Sequence, residues 1–147
     1  MKQKSFTLVE LLIVVTILAI LASAVIVVIN PRQRFAQVRD STREQHLQSL
    51  QTALYSYQTD HGGFFVDISL PATPTEICNT DKVNPSECGS LVNLSPLVPG
   101  YLSNLPVDPR GGIDSKGTGY FVALINDAIS LSAPKAETRT ITLGPQP

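Results

Sequence analysis

Glu10 is a carboxylate inside an apolar run, "FTLVELLIVV", residues 6 to 15. An ionised side chain within a membrane helix costs roughly 2.5 kcal/mol or more, so such a residue generally has a partner and a task. Two readings are open. In one, Glu10 sits one turn from the end of a greasy helix and simply reaches the headgroups. In the other, a protease cuts between Ser5 and Phe6, which creates a new α-amine four residues before Glu10. That ammonium could pair with the Glu10 carboxylate of an adjacent molecule and neutralise two buried charges at once. Ser5 and Phe6 are then the processing residues, and Phe6 and Glu10 the assembly residues.

The other reactive side chains are sparse. Cys78 and Cys88 are the only cysteines, ten positions apart in a turn-rich stretch. Paired, they would remove about 3 kcal/mol of disorder from the chain on the loop-entropy model, and they would require an oxidising location outside the cytoplasm. Two free thiols are the alternative. With no second close pair of Cys or His ligands, the spacing does not describe a zinc site. His46 and His61 have no nucleophile constellation beside them, so packing or surface roles are expected and catalysis is not. Asp108, Asp114 and Asp127 could gather in loops around calcium, but their spacing matches no EF-hand loop, and solvated turns are the expectation. No metal and no cofactor is implied.

The elements that must carry these residues follow from composition. The 147 residues suit one small domain with an appendage. The formal net charge of −1 removes the electrostatic case for nucleic acid. From Leu11 to Ile29 the polar residues are Thr16 and Ser23 alone, whereas beyond Pro31 the sequence is mixed and rich in turns. A transmembrane helix needs about 20 apolar residues, so Phe6 to Ile29 spans a bilayer. The competing interpretation is a secretory signal peptide, with Lys2 and Lys4 as its basic start and Ala22-Ser23-Ala24 as a small-residue cleavage site. Against it, the apolar run continues through "VIVVI" past Ala24. Arg32, Arg34, Arg39 and Arg43 follow the span and compete with Lys2 and Lys4, so charge counting leaves the orientation open.

"KSFTLVELLIVVTILAILA" resembles the N-terminal signature of type IV prepilins and the related pseudopilins of type II secretion systems. The resemblance is strong over about the first thirty residues. It implies a leader, residues 1–5, removed by a membrane prepilin peptidase just before Phe6, with methylation of the new amine. It also implies that Glu10 is the family's assembly glutamate. Where the family usually has Gly, this chain has Ser5. The expected partners are the prepilin peptidase, further copies of the same chain in a helical filament, and a pilus or secretion assembly machinery. The expected location is a single pass through the cytoplasmic membrane, with an extracytoplasmic domain, before assembly into an extracellular filament.

The remainder is compatible with such a subunit. Leu47, Leu50, Leu54 and Tyr57 form a helical stripe, which Phe35 and Val38 extend backwards. Gly62-Gly63 stops it. If Pro31 only kinks the chain, one helix runs from about Phe6 to Asp60, ~80 Å long, with a bend or local melting near Val27 to Arg32. Two separate helices are the alternative. Residues 61–100 read as loops with a short helical turn near Leu91 to Val98. "GYFVALI", then Asn126-Asp127, then "AISLSA" reads as a β-hairpin, and "TRTITLG" as a third strand, giving a sheet over about 118–144. A helix laid on a small antiparallel sheet makes the fold α+β and pilin-like. "LPVDPRGG…GTGYFV" resembles the Asp-Pro segment that enters the sheet of major pseudopilins, without their Trp after that Pro. Two function classes result: a filament-forming structural subunit, or a membrane-anchored monomeric binding module with Glu10 merely interfacial.

Overall fold

The computed structural model describes residues 6–146, without the side chains of residues 26–29. The chain divides into two units, Met1–Phe35 and Ala36–Pro147.

In the first unit, helix α1 runs from Leu8 to Ile29. Its window Leu8–Val25 has mean hydropathy 2.8 with none of it buried, long and apolar enough to cross a membrane. Thr7 precedes it in extended backbone, and its Oγ1 accepts from the Glu10 N–H at 3.2 Å. The two hydroxyls inside the helix bend back onto its own carbonyls: Thr16 donates to Leu12 and Ser23 to Ile20, each at 2.7 Å. Helix α2 spans Pro31–Asp60. The helix is therefore interrupted at Asn30, which takes the left-handed conformation at φ 45°. A proline disfavours helical backbone in the residue before it, and Asn tolerates the left-handed region better than most. Two helices, the alternative, thus replace the single helix expected from Phe6 to Asp60, and the break falls within the Val27 to Arg32 region where a bend or local melting was expected.

In the second unit, α2 buries Leu47, Leu50, Ala53, Leu54 and Tyr57. Its expected backward extension is corrected: Phe35 and Val38 are exposed, at 64% and 63%. The buried face continues instead through Arg43 and Asp40, four and seven residues before Leu47. That spacing is in phase with the stripe, and Val38 is not. The helix ends in a Schellman closure, in which Gly63 N–H bonds to the Gln58 carbonyl at 2.7 Å and Gly62 N–H to that of Thr59 at 3.3 Å. Gly62 sits at φ 67°, a value that carries little cost without a side chain.

Four antiparallel strands form one sheet in chain order: β1 (Thr75–Cys78), β2 (Gly117–Ile125), β3 (Ala128–Ser132) and β4 (Thr142–Leu143). The β2–β3 hairpin turns at Asn126 and Asp127, with φ 50° and 60°, the pair of positive values that a two-residue turn matched to strand twist requires. Strand β1 lies where only loops were expected. It is four residues long, and the prolines before it in "PATPTEIC" mask its β character. The predicted helical turn is a 3₁₀ turn at Ser95–Leu97. Leu47, Leu50, Leu54 and Tyr57 of α2 join Ile77, Leu97, Leu105, Tyr120, Val122, Ile129 and Leu131 in one apolar core. The architecture is thus a long apolar helix, a second helix and an antiparallel sheet, an α+β pilin-like layout.

The candidate assembly segment and the charged centre of the second unit

Of the proposed processing residues, Ser5 lies outside the described residues, while Phe6 is 78% exposed just ahead of α1. Glu10 occupies the first turn of that helix. There its carboxylate meets the positive end of the helix dipole, which favours an anion. It is exposed, with apolar side chains on both sides of it in sequence.

The second unit holds Cys78 and Cys88 as a disulfide, with Sγ–Sγ 2.02 Å and Cα–Cα 5.6 Å. It ties the end of β1 to the short 3₁₀ turn Pro85–Glu87. Asp108, Asp114 and Asp127 have separate roles. Asp108 joins Arg43, Asp114 accepts from the Lys116 N–H of its own turn, and Asp127 is a hairpin residue. Among the described residues no group of three or more His, Cys, Asp or Glu is placed to hold a metal ion.

What the sequence reading did not reveal is a buried ionic centre around Arg43. Its guanidinium is fully buried and forked. Nε and Nη2 donate to the two carboxylate oxygens of Asp108 at 2.6 and 3.1 Å, and Nη1 donates to Asp40 at 2.7 Å and to Glu137 at 3.1 Å. Glu137 also accepts two bonds from Arg39, each 2.7 Å, and pairs with Arg110 at 3.0 Å. Asp40 accepts further from the backbone N–H groups of Glu137 and Thr138 and from the Thr138 hydroxyl. Every buried side-chain N or O among the described residues has a hydrogen-bond partner.

The electrostatics follow from these contacts. The bonds that Arg43 donates to Asp108 hold its proton more firmly than usual, against the opposing effect of burial. Burial alone would push the Asp40 carboxyl up, but the Thr138 hydroxyl, the two backbone N–H groups and Arg43 outweigh it, and the net direction is down. The Arg39 bond lowers Glu137 to about 2, against a smaller upward push from burial. Nearby, His46 Nδ1 meets the hydroxyl of the fully buried Tyr120 at 2.7 Å. Burial depresses the His46 imidazole and raises the Tyr120 phenol, so both are neutral around neutral pH.

Two more charged side chains shape the loop between Asp108 and β2. The Glu76 carboxylate, from β1, accepts from the N–H groups of Ile113, Asp114 and Gly119 at 2.7 to 2.8 Å. Lys135 Nζ donates to the carbonyls of Gly111 and Gly112 at 2.8 and 2.7 Å. A Cβ at Gly117 would lie 2.2 Å from the Glu76 carboxylate, so a side chain there would push that carboxylate off its N–H donors. These carboxylates are saturated by donors from several elements, which is the chemistry of a structural centre that ties loops to a helix. A periodic polar position within an apolar helix stripe is the signal that would have exposed Asp40 and Arg43.

Residues 1–26 match the family described as the prokaryotic N-terminal methylation motif, the signal of type IV prepilins and pseudopilins. No curated protein and no solved structure matches the chain. The chain therefore carries a prepilin-type signal on an α+β pilin-like layout, and that signal points to a structural subunit rather than an enzyme.

Proposed function

We propose that this protein is a pilin or pseudopilin, cleaved between Ser5 and Phe6 by a prepilin peptidase and polymerised through α1 into a type IV pilus or a related secretion or competence filament. The observation that carries this is the coincidence of the methylation motif at residues 1–26 with an exposed apolar helix bearing one carboxylate, Glu10. Before assembly α1 lies in the cytoplasmic membrane and the domain after it faces the outside. The disulfide supports that orientation, because such bonds persist in oxidising compartments. In the filament, copies of α1 replace lipid around one another. Apolar contact alone does not fix axial register, whereas a buried pair between Glu10 and the Phe6 amine of a neighbour does, since slipping leaves both charges unpaired.

The test is the mass of subunits sheared from cells: a chain beginning at Phe6 is expected. An intact Met1, or a start at Val25 as conventional signal cleavage would give, would overturn the reading.

A further inference from the structure

We propose that the two ends of α2 carry the two halves of a contact between copies of this chain, the basic end near Pro31 of one copy seating on the acidic end near Asp60 of another. The inference rests on the filament reading and adds to α1 a second interface. Beyond Asn30, six large apolar side chains are exposed among the described residues, and four of them fall at the ends of α2. Phe35 and Val38 are 64% and 63% exposed at its start, and Phe64 and Val66 are 72% and 65% exposed just past its end. Phe64 also lines a cleft of about 490 Å³ with Phe65, Ile68, Leu70, Leu124 and Asp127. An apolar patch with a polar rim marks a docking surface. The helix between Val38 and Asp60 holds the two patches ~30 Å or more apart, so they do not meet within one copy.

Charge identifies the occupant. The stretch from Pro31 to Arg39 holds three arginines and no carboxylate, and Arg32 and Arg34 are exposed beside Phe35. From Gln45 to Asp81 the sequence has carboxylates but no lysine or arginine. Asp60, Asp67 and Asp127 are all exposed at that far end: Asp60 closes α2, Asp67 falls between the cleft residues Phe65 and Ile68, and Asp127 lines the cleft itself. One end is apolar and basic, the other apolar and acidic. Like ends brought together would set arginine against arginine or aspartate against aspartate, which opposes a symmetric dimer, whereas unlike ends attract and fix the register. A contact between two different patches of one chain extends into an open filament unless its rotation closes a ring. The chain is therefore complementary to its own copy, head to tail.

The experiment places cysteines at these exposed positions, where the core is untouched, in the full chain expressed in cells. One variant combines Val38→Cys with Phe64→Cys, another Phe35→Cys with Phe64→Cys, and the parent, whose own cysteines are already paired, is the control. Sheared filaments are oxidised mildly and separated without reductant. A ladder of covalent multimers is expected from at least one pair and monomer from each single variant, because residue 64 of one copy faces residue 35 or 38 of the next. Phe64→Ser should lower the filament yield about tenfold, in line with the loss of a buried aromatic anchor. Filaments that form but give monomer from both pairs, as they would if Phe35 and Val38 lay against lipid headgroups, would overturn the inference and leave the filament reading standing. A dimer from Phe64→Cys alone would mean that the cleft faces its like, and would overturn it too. If the parent releases no filaments, the filament reading has failed and the inference with it.

Discussion

Arg43 holds together three pieces of chain that meet nowhere else in sequence: its own helix, the segment at Asp108 and the segment at Glu137. Replacing it with Met fills similar space but leaves Asp40 and Asp108 buried without their cation. A loss on the order of 3–5 kcal/mol is expected, read as a lower urea midpoint for the second unit. Arg43→Lys should recover little, because one ammonium cannot serve both carboxylate oxygens of Asp108 and also reach Asp40. On the filament reading proposed above, Glu10 belongs to the other kind of residue, one whose worth lies between molecules. Glu10→Ala and Glu10→Gln should leave the second unit folded and the protein in the membrane while blocking filament formation, with Glu10→Asp intermediate. Normal filament yields from Glu10→Ala would refute that. Glu10 was legible in the sequence because it interrupts an apolar run. Arg43 was not, because a charge on a mixed helix reads as solvated unless its phase against Leu47 and Leu50 is followed backwards.

Among the elements, the stretch from Ala133 to Ile141 enters the apolar core at its two ends and is held by charge between them. It is held by Asp40 on the backbone of Glu137 and Thr138, by Glu137 on Arg39, Arg43 and Arg110, and by Lys135 on two glycine carbonyls. The strand that follows, β4, adds only two residues to the sheet. Asp40 and Glu137 titrate below their ordinary values of 3.8 and 4.5. A depressed carboxylate contributes stability that is complete above its ordinary value and is lost as pH falls toward its folded one. The second unit should therefore lose stability between about pH 4.5 and about pH 2, and Asp40→Asn should be less stable at neutral pH and flatter through that window. Thermal unfolding at a series of pH values measures both. The hairpin was legible because Asn126-Asp127 separates two β-rich runs, and a two-residue turn leaves few other geometries. Strand β1 was not legible, because four residues between turn formers gain their strand character from the neighbour β2 rather than from their own pattern.

At the scale of the molecule, the apolar core and the ionic centre both lie within Ala36–Pro147, so that unit has what it needs to fold without α1. A chain beginning at Pro31 is expected to be soluble and to unfold in one cooperative transition. Reducing Cys78–Cys88 should lower its stability by about 3 kcal/mol on the loop-entropy model, and in exported protein neither thiol should alkylate before reductant is added. Solubility demands nothing of α1, where Thr16 and Ser23 spend their hydroxyls on the helix's own backbone. From Leu8 to Val25 that leaves a surface on which position 10 is the one distinctive mark and the rest is a repeated background. On the filament reading, such a surface is a ruler with a single graduation, and outer domains of differing shape could enter one polymer by lining up on it.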